Sequence, residues 1–381
     1  MNNLRVAWVY PSIVFGAYWQ PVIQEFLKRF SQTIFYTGQT WPDFDPEDPG
    51  VSAFRVVGNT QYVLTKGDSK GYDRGFIYAS PKIIFPLLKF RPHVIFASAF
   101  SIWTVLVLLF KFITRWQVII IYDGSSPNTE FRDSFIRSRS RKIMARFTDA
   151  FVANSQAAES YLIESLGVER DRVFTTTYLV PDTNALINEE VINQPLDFAT
   201  GHPTFLFVGQ VIPRKGIQVL LKACVLLRER GYENFSLVIV GDGEERQNLE
   251  DLVQKHDLSR QVFWAGWIHY NQLGSYFQNS DVFVFPSLED VWGMAVLEAM
   301  AFGKPILCSR SANACEMVMQ DKNGYVFDPQ DPVELADMMA EFIKEPSRIA
   351  TMGAASRQII SSHTPAKVAE SMTEIILKVM K

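Results

Sequence analysis

Two carboxylates separated by seven residues stand in the stretch PSLEDVWGMAVLEAMAFGKPI, residues 286–306. Asp290 lies in a short acidic loop after the strand-like run DVFVF, and Glu298 falls in the second turn of a helix predicted to begin near Gly293. At a rise of 1.5 Å per residue, Glu298 lies about 7–8 Å along that helix from Gly293. Both carboxylates are therefore predicted to face one small polar ligand at the positive N-terminus of the helix.

The apolar neighbours of Glu298, MAVL before it and AMAF after it, indicate a buried helix. A carboxylate in such a place needs a hydrogen-bond donor, because an unpaired buried charge costs several kcal/mol. The donor is either a ligand or, in a purely structural role, a main-chain N–H or a lysine. The sequence leaves both interpretations open.

A pair of cations precedes another predicted helix, in PTFLFVGQVIPRKGIQVLLKACVLL. Arg214 and Lys215 stand directly before Gly216, where the helix starts. Two cations at this point can neutralise a diphosphate while helical N–H groups bind its oxygens. The alternative is an ordinary charged loop tip.

Two positions in the first half also suggest ligand contact. Asp123 ends the strand-like run VIIIYD, and the carboxyl end of a parallel strand is where α/β folds place ligands. Gly16 lies in the loop PSIVFGAYW, between the opening strand LRVAWVY and a helical pattern. The alternatives are an Asx-turn at Asp123 and an ordinary turn glycine at Gly16.

Strand-like and helical patterns alternate through both halves of the 381-residue chain, which predicts an α/β protein of two doubly wound, Rossmann-like parallel-sheet domains facing a central cleft. The predicted first domain is 1–183, completed by the C-terminal helix 364–381. A polar, aperiodic linker is predicted at 184–202 and a second domain at 203–363. Ligands are expected between the domains, at the carboxyl ends of the strands.

The charge and cysteine content exclude several classes of protein. Residues 1–182 carry 20 Lys and Arg against 16 Asp and Glu, too weak a basic excess to indicate nucleic-acid binding. The three cysteines lack metal-ligand spacing, and their odd number argues against a disulfide framework. The opening MNNLRVAWVY has no signal-peptide pattern, so a reducing cytosol is the expected compartment.

Residues 94–110 contain no charge, which raises the alternative of a transmembrane span. Flanking strand patterns favour a buried strand and a buried crossover helix instead. The run RDSFIRSRSRKIMARF, residues 132–147, concentrates six basic residues that could attract anionic lipid headgroups at a membrane surface. Its alternative is a solvated helix face.

Four segments, VGQ…RKGIQVLL, VIVGDGEE, DVFVFPSLEDVWGMAVLEAMAFGKPI and EMVMQDKNGYVFDPQDPVELA, together resemble the retaining nucleotide-sugar glycosyltransferases of the family-4 type, which have the GT-B fold. The resemblance covers the C-terminal half in the family's order and spacing. In the N-terminal half it rests on the opening strand and Gly16 loop, on YDG and on DAFVANSQAAESYL. The family's hallmark, two acidic residues separated by seven positions, matches Asp290 and Glu298.

The resemblance implies a transferase that builds a polysaccharide or glycolipid from a nucleotide-sugar donor and a glycan or lipid-linked acceptor. It implies no metal ion or cofactor. Glu298 would bind the ribose, Lys215 with Arg214 the diphosphate, and Ile268 the base through its main chain. The remaining implied donor contacts are Gly16, Gln210, Asp290 and the backbone of Val291, Trp292, Gly293, Met294 and Ala295. Asp123, Asp290 and Lys215 would carry the chemistry.

Three positions depart from the family pattern. Asp290 stands where Glu is usual, Gln210 where Arg is frequent, and Asp123 where a His is usual. These departures keep open the alternative of a catalytically idle partner subunit that still binds donor or acceptor. A GT-B nucleotide-sugar epimerase is a further alternative, disfavoured because the RKG and acidic-pair spacing follow the transferase arrangement.

Overall fold

The computed structural model describes residues 3–13, 18–41, 44–66, 74–124, 126–130, 134–177, 180–181, 186 and 202–381. These residues form two compact units. The first takes in the described residues up to Val180 together with His363–Lys381, and the second is Pro181–Ser362. Most of the predicted linker lies outside the described residues, as does Gly16.

The first unit is built on a seven-stranded parallel sheet in the order β3-β2-β1-β6-β7-β8-β9. Its strands are β1 Arg5–Tyr10, β2 Gln32–Thr37, β3 Phe54–Val56, β6 Val94–Ser98, β7 Gln117–Tyr122, β8 Ala150–Ala153 and β9 Val173–Thr175. The remaining two strands, β4 Thr60–Lys66 and β5 Arg74–Ala79, form a separate antiparallel pair. Near-continuous apolar runs such as QVIIIY suit these strands, because a parallel sheet is covered on both faces.

Helices cover both faces of this sheet. They are α1 Trp19–Leu27, α2 Ile84–Phe90, α3 Ile102–Thr114, α4 Pro127–Glu130, α5 Phe135–Phe147, α6 Gln156–Ser160 and the C-terminal α13 Pro365–Val379. A π-helical turn, Tyr161–Ser165, continues α6.

Alternate residues of each strand face opposite layers of helices, as the two-residue period of a strand requires. Val6, Trp8 and Tyr10 pack in one cluster with apolar residues of α1 and α13. Ala7 and Val9 pack in the other, with residues of α2, α3 and α5. The C-terminal helix is therefore part of the first unit's core.

The uncharged segment 94–110 contains strand β6, as predicted, but its helix is not the buried one that the sequence suggested. On α3, Leu109 is 60% exposed, Phe112 67% and Ile113 81%. The physical reason is that α3 lies in an outer layer, where only one side of a helix meets the sheet. Among the described residues no helix is long and apolar enough to cross a membrane.

The second unit holds a six-stranded parallel sheet in the order β12-β11-β10-β13-β14-β15. Its strands are β10 Thr204–Val208, β11 Ser236–Val240, β12 Val262–Gly266, β13 Val282–Phe285, β14 Ile306–Ser309 and β15 Gly324–Phe327. Its helices are α7 Ile217–Glu229, α8 Arg246–Lys255, α9 Leu273–Gln278, α10 Met294–Ala301, α11 Pro332–Lys344 and α12 Ser347–Ile360. The predicted pair of doubly wound parallel-sheet domains is confirmed.

The strand order of the second unit reverses between β10 and β13, which pair in parallel through Phe205 and Val282. Loops that leave neighbouring strands at such a switch point run in opposite directions and open a crevice at the carboxyl ends of the strands. The loops that carry the predicted cations and the predicted acidic residue leave these two strands.

A prediction follows for the C-terminal helix. Met372 of α13 is fully buried in the first unit's core, whereas Leu377 of the same helix is 37% exposed. We expect Met372→Ala to destabilise the first unit by about 2–4 kcal/mol through lost burial and a residual cavity, and Leu377→Ala by about 1 kcal/mol or less. Hydrogen exchange of the β1 and β6 amides in a urea series measures the stability lost in each variant. Equal losses would contradict the burial of Met372 and the exposure of Leu377.

Candidate functional site

The loops after β10 and β13 touch at Gly216. This glycine has a φ of 67°, and a Cβ there would lie 2.1 Å from the carbonyl oxygen of Pro286. Any other residue would therefore push the loops apart. The two loops are also joined by a hydrogen bond of 2.8 Å from the Leu288 N–H to the Arg214 carbonyl.

This contact brings both predicted cations to the predicted carboxylate. Lys215 Nζ lies 2.5 Å from Asp290 Oδ2, and Arg214 Nη1 lies 3.3 Å from the same oxygen. All three side chains are mostly buried, with 13%, 16% and 9% of their surfaces exposed for Lys215, Arg214 and Asp290. Two cations against one carboxylate give this cluster a formal charge of +1, so it still attracts an anion.

The backbone around Asp290 holds its carboxylate in place. The Asp290 N–H donates to the Ser311 carbonyl over 3.0 Å, and the Trp292 N–H donates to Asp290 Oδ1 over 3.4 Å. The Asn313 side-chain amide donates to the Val291 carbonyl over 2.9 Å. The acidic loop is thus tied to the segment that follows β14.

Helix α10 begins directly after this loop, as predicted, with Gly293 as its N-cap. Gly293 has a φ of 111°, and a Cβ there would lie 2.8 Å from the Phe285 ring, so glycine is required on both counts. The first N–H groups of a helix have no acceptor within it. Those of Gly293, Met294 and Ala295 stand at the positive end of α10, a few residues after Asp290 in the chain.

Glu298 lies one turn further along α10 and is only 2% exposed. The hydroxyl of Tyr270 donates to its Oε1 over 3.0 Å. Tyr270 follows Ile268 in the loop after β12, so this bond ties the loop predicted to meet the base to the acidic residue predicted to bind the ribose. Ile268 is half-buried, and the neighbouring Trp267 is 66% exposed.

Sequence reasoning missed Tyr270. The motif GWIHY contains it, but no spacing rule connects a tyrosine to a glutamate 28 residues further along the chain. Gln210, by contrast, is exposed two residues after β10, and the hydrogen bonds described for the charged cluster do not include it.

Asp123 belongs to the first unit, where it follows β7 and is partly buried. Burial raises the pKa of its carboxyl to about 6, although a backbone hydrogen bond opposes that rise. The Asn154 amide donates to its carbonyl over 3.2 Å. Nearby, burial followed by the charge of Asp123 raises the pKa of Tyr10, whose hydroxyl has no hydrogen-bond partner among the described residues.

No group of three or more His, Cys, Asp or Glu side chains is arranged to hold a metal ion in the part of the chain that the structure describes. The three cysteines are free.

The charged cluster predicts a stability effect. Lys215→Met would leave Asp290 with Arg214 alone, and we expect the second unit to lose about 1–3 kcal/mol of unfolding free energy. Lys222→Met, at an exposed position of α7, is the matched control and should change it by about 0.5 kcal/mol or less. Urea unfolding measures both; an equally small effect at Lys215 would show that the pair contributes nothing to folding.

Asp123 predicts a pH dependence. Because its folded-state pKa lies above its ordinary value, the native protein binds more protons than the unfolded chain between about pH 4 and pH 6, and stability falls as pH rises through this window. In Asp123→Asn this fall, about 1–3 kcal/mol, should be absent. Thermal unfolding across the window measures it, with Asp171→Asn as the exposed-carboxyl control. If Asp123→Asn shows the same fall in stability as wild type, Asp123 is not its cause.

Residues 188–359 match the sequence profile of the family described as Glycosyl transferases group 1. The GDP-mannose-dependent alpha-(1-6)-phosphatidylinositol monomannoside mannosyltransferase of Mycobacterium tuberculosis is 31% identical over 167 residues, 42% of this chain and 43% of that protein. An uncharacterized glycosyltransferase of Methanocaldococcus jannaschii is 34% identical over 131 residues, 34% of this chain and 33% of that protein. The chain thus matches less than half the length of either relative.

The crystal structure of Anabaena HepE in complex with UDP has the same fold, with a TM-score of 0.78 at 18% identity, over 98% of this chain and 100% of that one. The charged cluster, Tyr270 and Glu298 all lie within the residues that the family profile matches. Over residues 188–359, this chain is therefore similar to the family described as Glycosyl transferases group 1.

Proposed function

We propose that this protein is a retaining glycosyltransferase that moves a sugar from a nucleotide-diphosphate donor to a hydroxyl of a glycan or glycolipid acceptor, without a metal ion. The observation that carries the proposal is the cluster of Lys215, Arg214 and Asp290 at the switch point of the second sheet. A cationic cluster beside a helix N-terminus matches the charge that glycosyl transfer develops on the departing diphosphate.

The cations take the role that a metal ion would otherwise fill. When the sugar–phosphate bond breaks, negative charge grows on the leaving phosphate, and the fixed charges of Lys215 and Arg214 stabilise it as it forms. Both side chains are already oriented by Asp290, so they need little rearrangement when the donor binds. This preorganisation supports a metal-independent reaction.

Glu298 is the residue that we propose binds the ribose. A carboxylate has two oxygens that can accept several hydrogen bonds, and Tyr270 donates to Oε1. The nucleotide's ribose hydroxyls are donors suited to this buried carboxylate. Ile268, on the loop that Tyr270 anchors, would meet the base through its main chain.

Asp290 is poorly suited to act as a covalent nucleophile, because both cations contact one of its oxygens and the Trp292 N–H contacts the other. Such a carboxylate positions hydroxyls of the sugar more readily than it attacks carbon. A retaining outcome would then come from attack on the face that the diphosphate leaves, with a leaving-group oxygen taking the acceptor's proton. Asp123, ionised above about pH 6, would accept a hydrogen bond from a substrate hydroxyl.

The relatives point to different nucleotides. The mycobacterial relative is named for GDP-mannose, and HepE has been crystallised with UDP and with UDP-glucose. The base and the sugar are therefore the first quantities to determine. A panel of nucleoside diphosphates and nucleotide sugars, read by calorimetry, identifies the donor class.

We expect Glu298→Gln to weaken binding of the preferred nucleotide diphosphate about 10- to 100-fold, because a neutral amide accepts the ribose hydrogen bonds less strongly. Tyr270→Phe, which removes the donor to Oε1, should have a smaller effect in the same direction. Glu233→Gln, at an exposed position before β11, is the control and should leave the Kd unchanged. If no nucleotide binds well-folded wild type, the proposal is wrong. If a nucleotide binds but no acceptor in a screen of glycans and glycolipids is converted, the protein is instead a catalytically idle partner subunit.

The stereochemistry and the metal are tested on the product. Proton NMR of the new glycosidic bond should show the anomeric configuration of the donor, and excess EDTA should leave the rate unchanged. An inverted product would contradict same-face attack. A rate abolished by EDTA and restored by a divalent cation would contradict the role given to Lys215 and Arg214.

A further inference from the structure

The outward side of α3 is apolar along its whole length. Ile102 is 46% exposed, Leu109 60%, Phe112 67% and Ile113 81%. Leu109 lies seven residues after Ile102, and Phe112 and Ile113 lie three and four residues after Leu109, which places all four along one side of the helix. Lys111 is the only charged residue of α3, so charged side chains of this helix do little to shield its apolar side from water.

Helix α5 extends the apolar side of α3. Its Ile136 is 81% exposed, Ile143 48% and Phe147 43%, at spacings of seven and four. The ring of Phe147 lies 5.3 Å from that of Phe112, so the two helices share one surface. We call Ile102, Leu109, Phe112, Ile113, Ile136, Ile143 and Phe147 the apolar strip.

Three cations of α5 lie beside the apolar strip. Arg139, Lys142 and Arg146 recur at spacings of three and four, so they share the exposed side of α5 that adjoins its isoleucines. None of the three forms an ion pair in the part of the chain that the structure describes. We call them the basic border.

A pocket of about 590 Å³ lies where α3 and α5 end. Its lining includes Phe112 and Phe147 of the apolar strip and four cations, Lys111, Arg115, Arg146 and Arg172. Lys111 pairs with Asp149 over 2.6 Å, and Arg172 donates to main-chain carbonyls of Ala145 and Thr148. Among the described residues that line this pocket, Asp149 is the only acidic one, so the pocket keeps a net positive charge.

We propose that this face of the first unit binds a membrane surface that carries anionic lipids. The apolar strip enters the boundary between headgroups and acyl chains, and the basic border pairs with lipid phosphates. The pocket holds one headgroup phosphate beside Arg115 and Arg146. Large exposed apolar patches mark interaction surfaces, and an apolar helix side flanked by Lys and Arg is the pattern of helices that lie in the membrane plane.

Charge complementarity selects the membrane over other occupants. A nucleic acid would use the cations but leave the apolar strip in water. A second copy of the chain packed face to face would set two basic borders against each other, and like charges disfavour that arrangement. An anionic lipid surface offers a partner for the apolar strip and the basic border together. The proposal stands independently of the proposed glycosyl transfer.

The test is sedimentation of the full chain with vesicles of phosphatidylcholine alone, or with about one third phosphatidylglycerol. We expect wild type to bind the anionic vesicles at least about tenfold more tightly, and less as salt rises from about 0.1 to about 0.5 M. Phe112→Ser with Ile113→Ser should weaken binding about tenfold or more. Arg139→Gln, Lys142→Gln and Arg146→Gln together should abolish the preference for anionic lipid.

Matched controls lie in the second unit. Lys255→Gln, Arg260→Gln and Lys322→Gln make the same charge change, and Met319→Ser with Val333→Ser makes the same apolar change, all at exposed positions. Control variants that lose binding as strongly as the face variants would overturn the proposal. Failure of wild type to bind anionic vesicles would also overturn it. A third contrary result would be a wild-type dimer in light scattering that becomes a monomer in the variant Phe112→Ser with Ile113→Ser. The experiment uses no nucleotide, so its failure leaves the donor-binding result unaffected.

Discussion

The pairing of Asp290 with Lys215 and Arg214 is the interaction on which the rest of the candidate site depends. A carboxylate this deeply buried is unfavourable alone, and two buried cations are unfavourable without it. Because the three residues come from loops on neighbouring strands, their attraction fixes the distance between those loops. Asp290 in turn orients the start of α10, whose N–H groups and Glu298 complete the site.

Glycine makes that pairing geometrically possible. Gly216 lets the loop after β10 approach Pro286, and Gly293 lets the chain turn into α10 against the ring of Phe285. Each has a positive φ, which a side chain would strain. The site therefore combines a switch point supplied by the strand order with two backbone positions that only glycine fills without rearrangement.

The two units are specialised in different ways. In the second, charge is concentrated at the carboxyl ends of the strands, where a phosphate-bearing ligand would find fixed cations and helix N-termini. In the first, the unusual feature is on the outer side of α3 and α5, where apolar residues face water beside cations that form no ion pair with any residue the structure describes. Asp123 adds a carboxyl whose burial raises its pKa to about 6.

The sequence by itself determined the fold class, the start of α10 at Gly293 and the burial of Glu298, because these follow from local periodicity and from apolar neighbours. It also identified the residues of the charged cluster, although not that they pair with each other. Only the tertiary structure decided that pairing, the Tyr270 bond to Glu298 and the exposure of α3. Those features depend on which strands are neighbours and which helix side meets the sheet, and residues 28 to 75 positions apart along the chain leave no periodic signal of their contact.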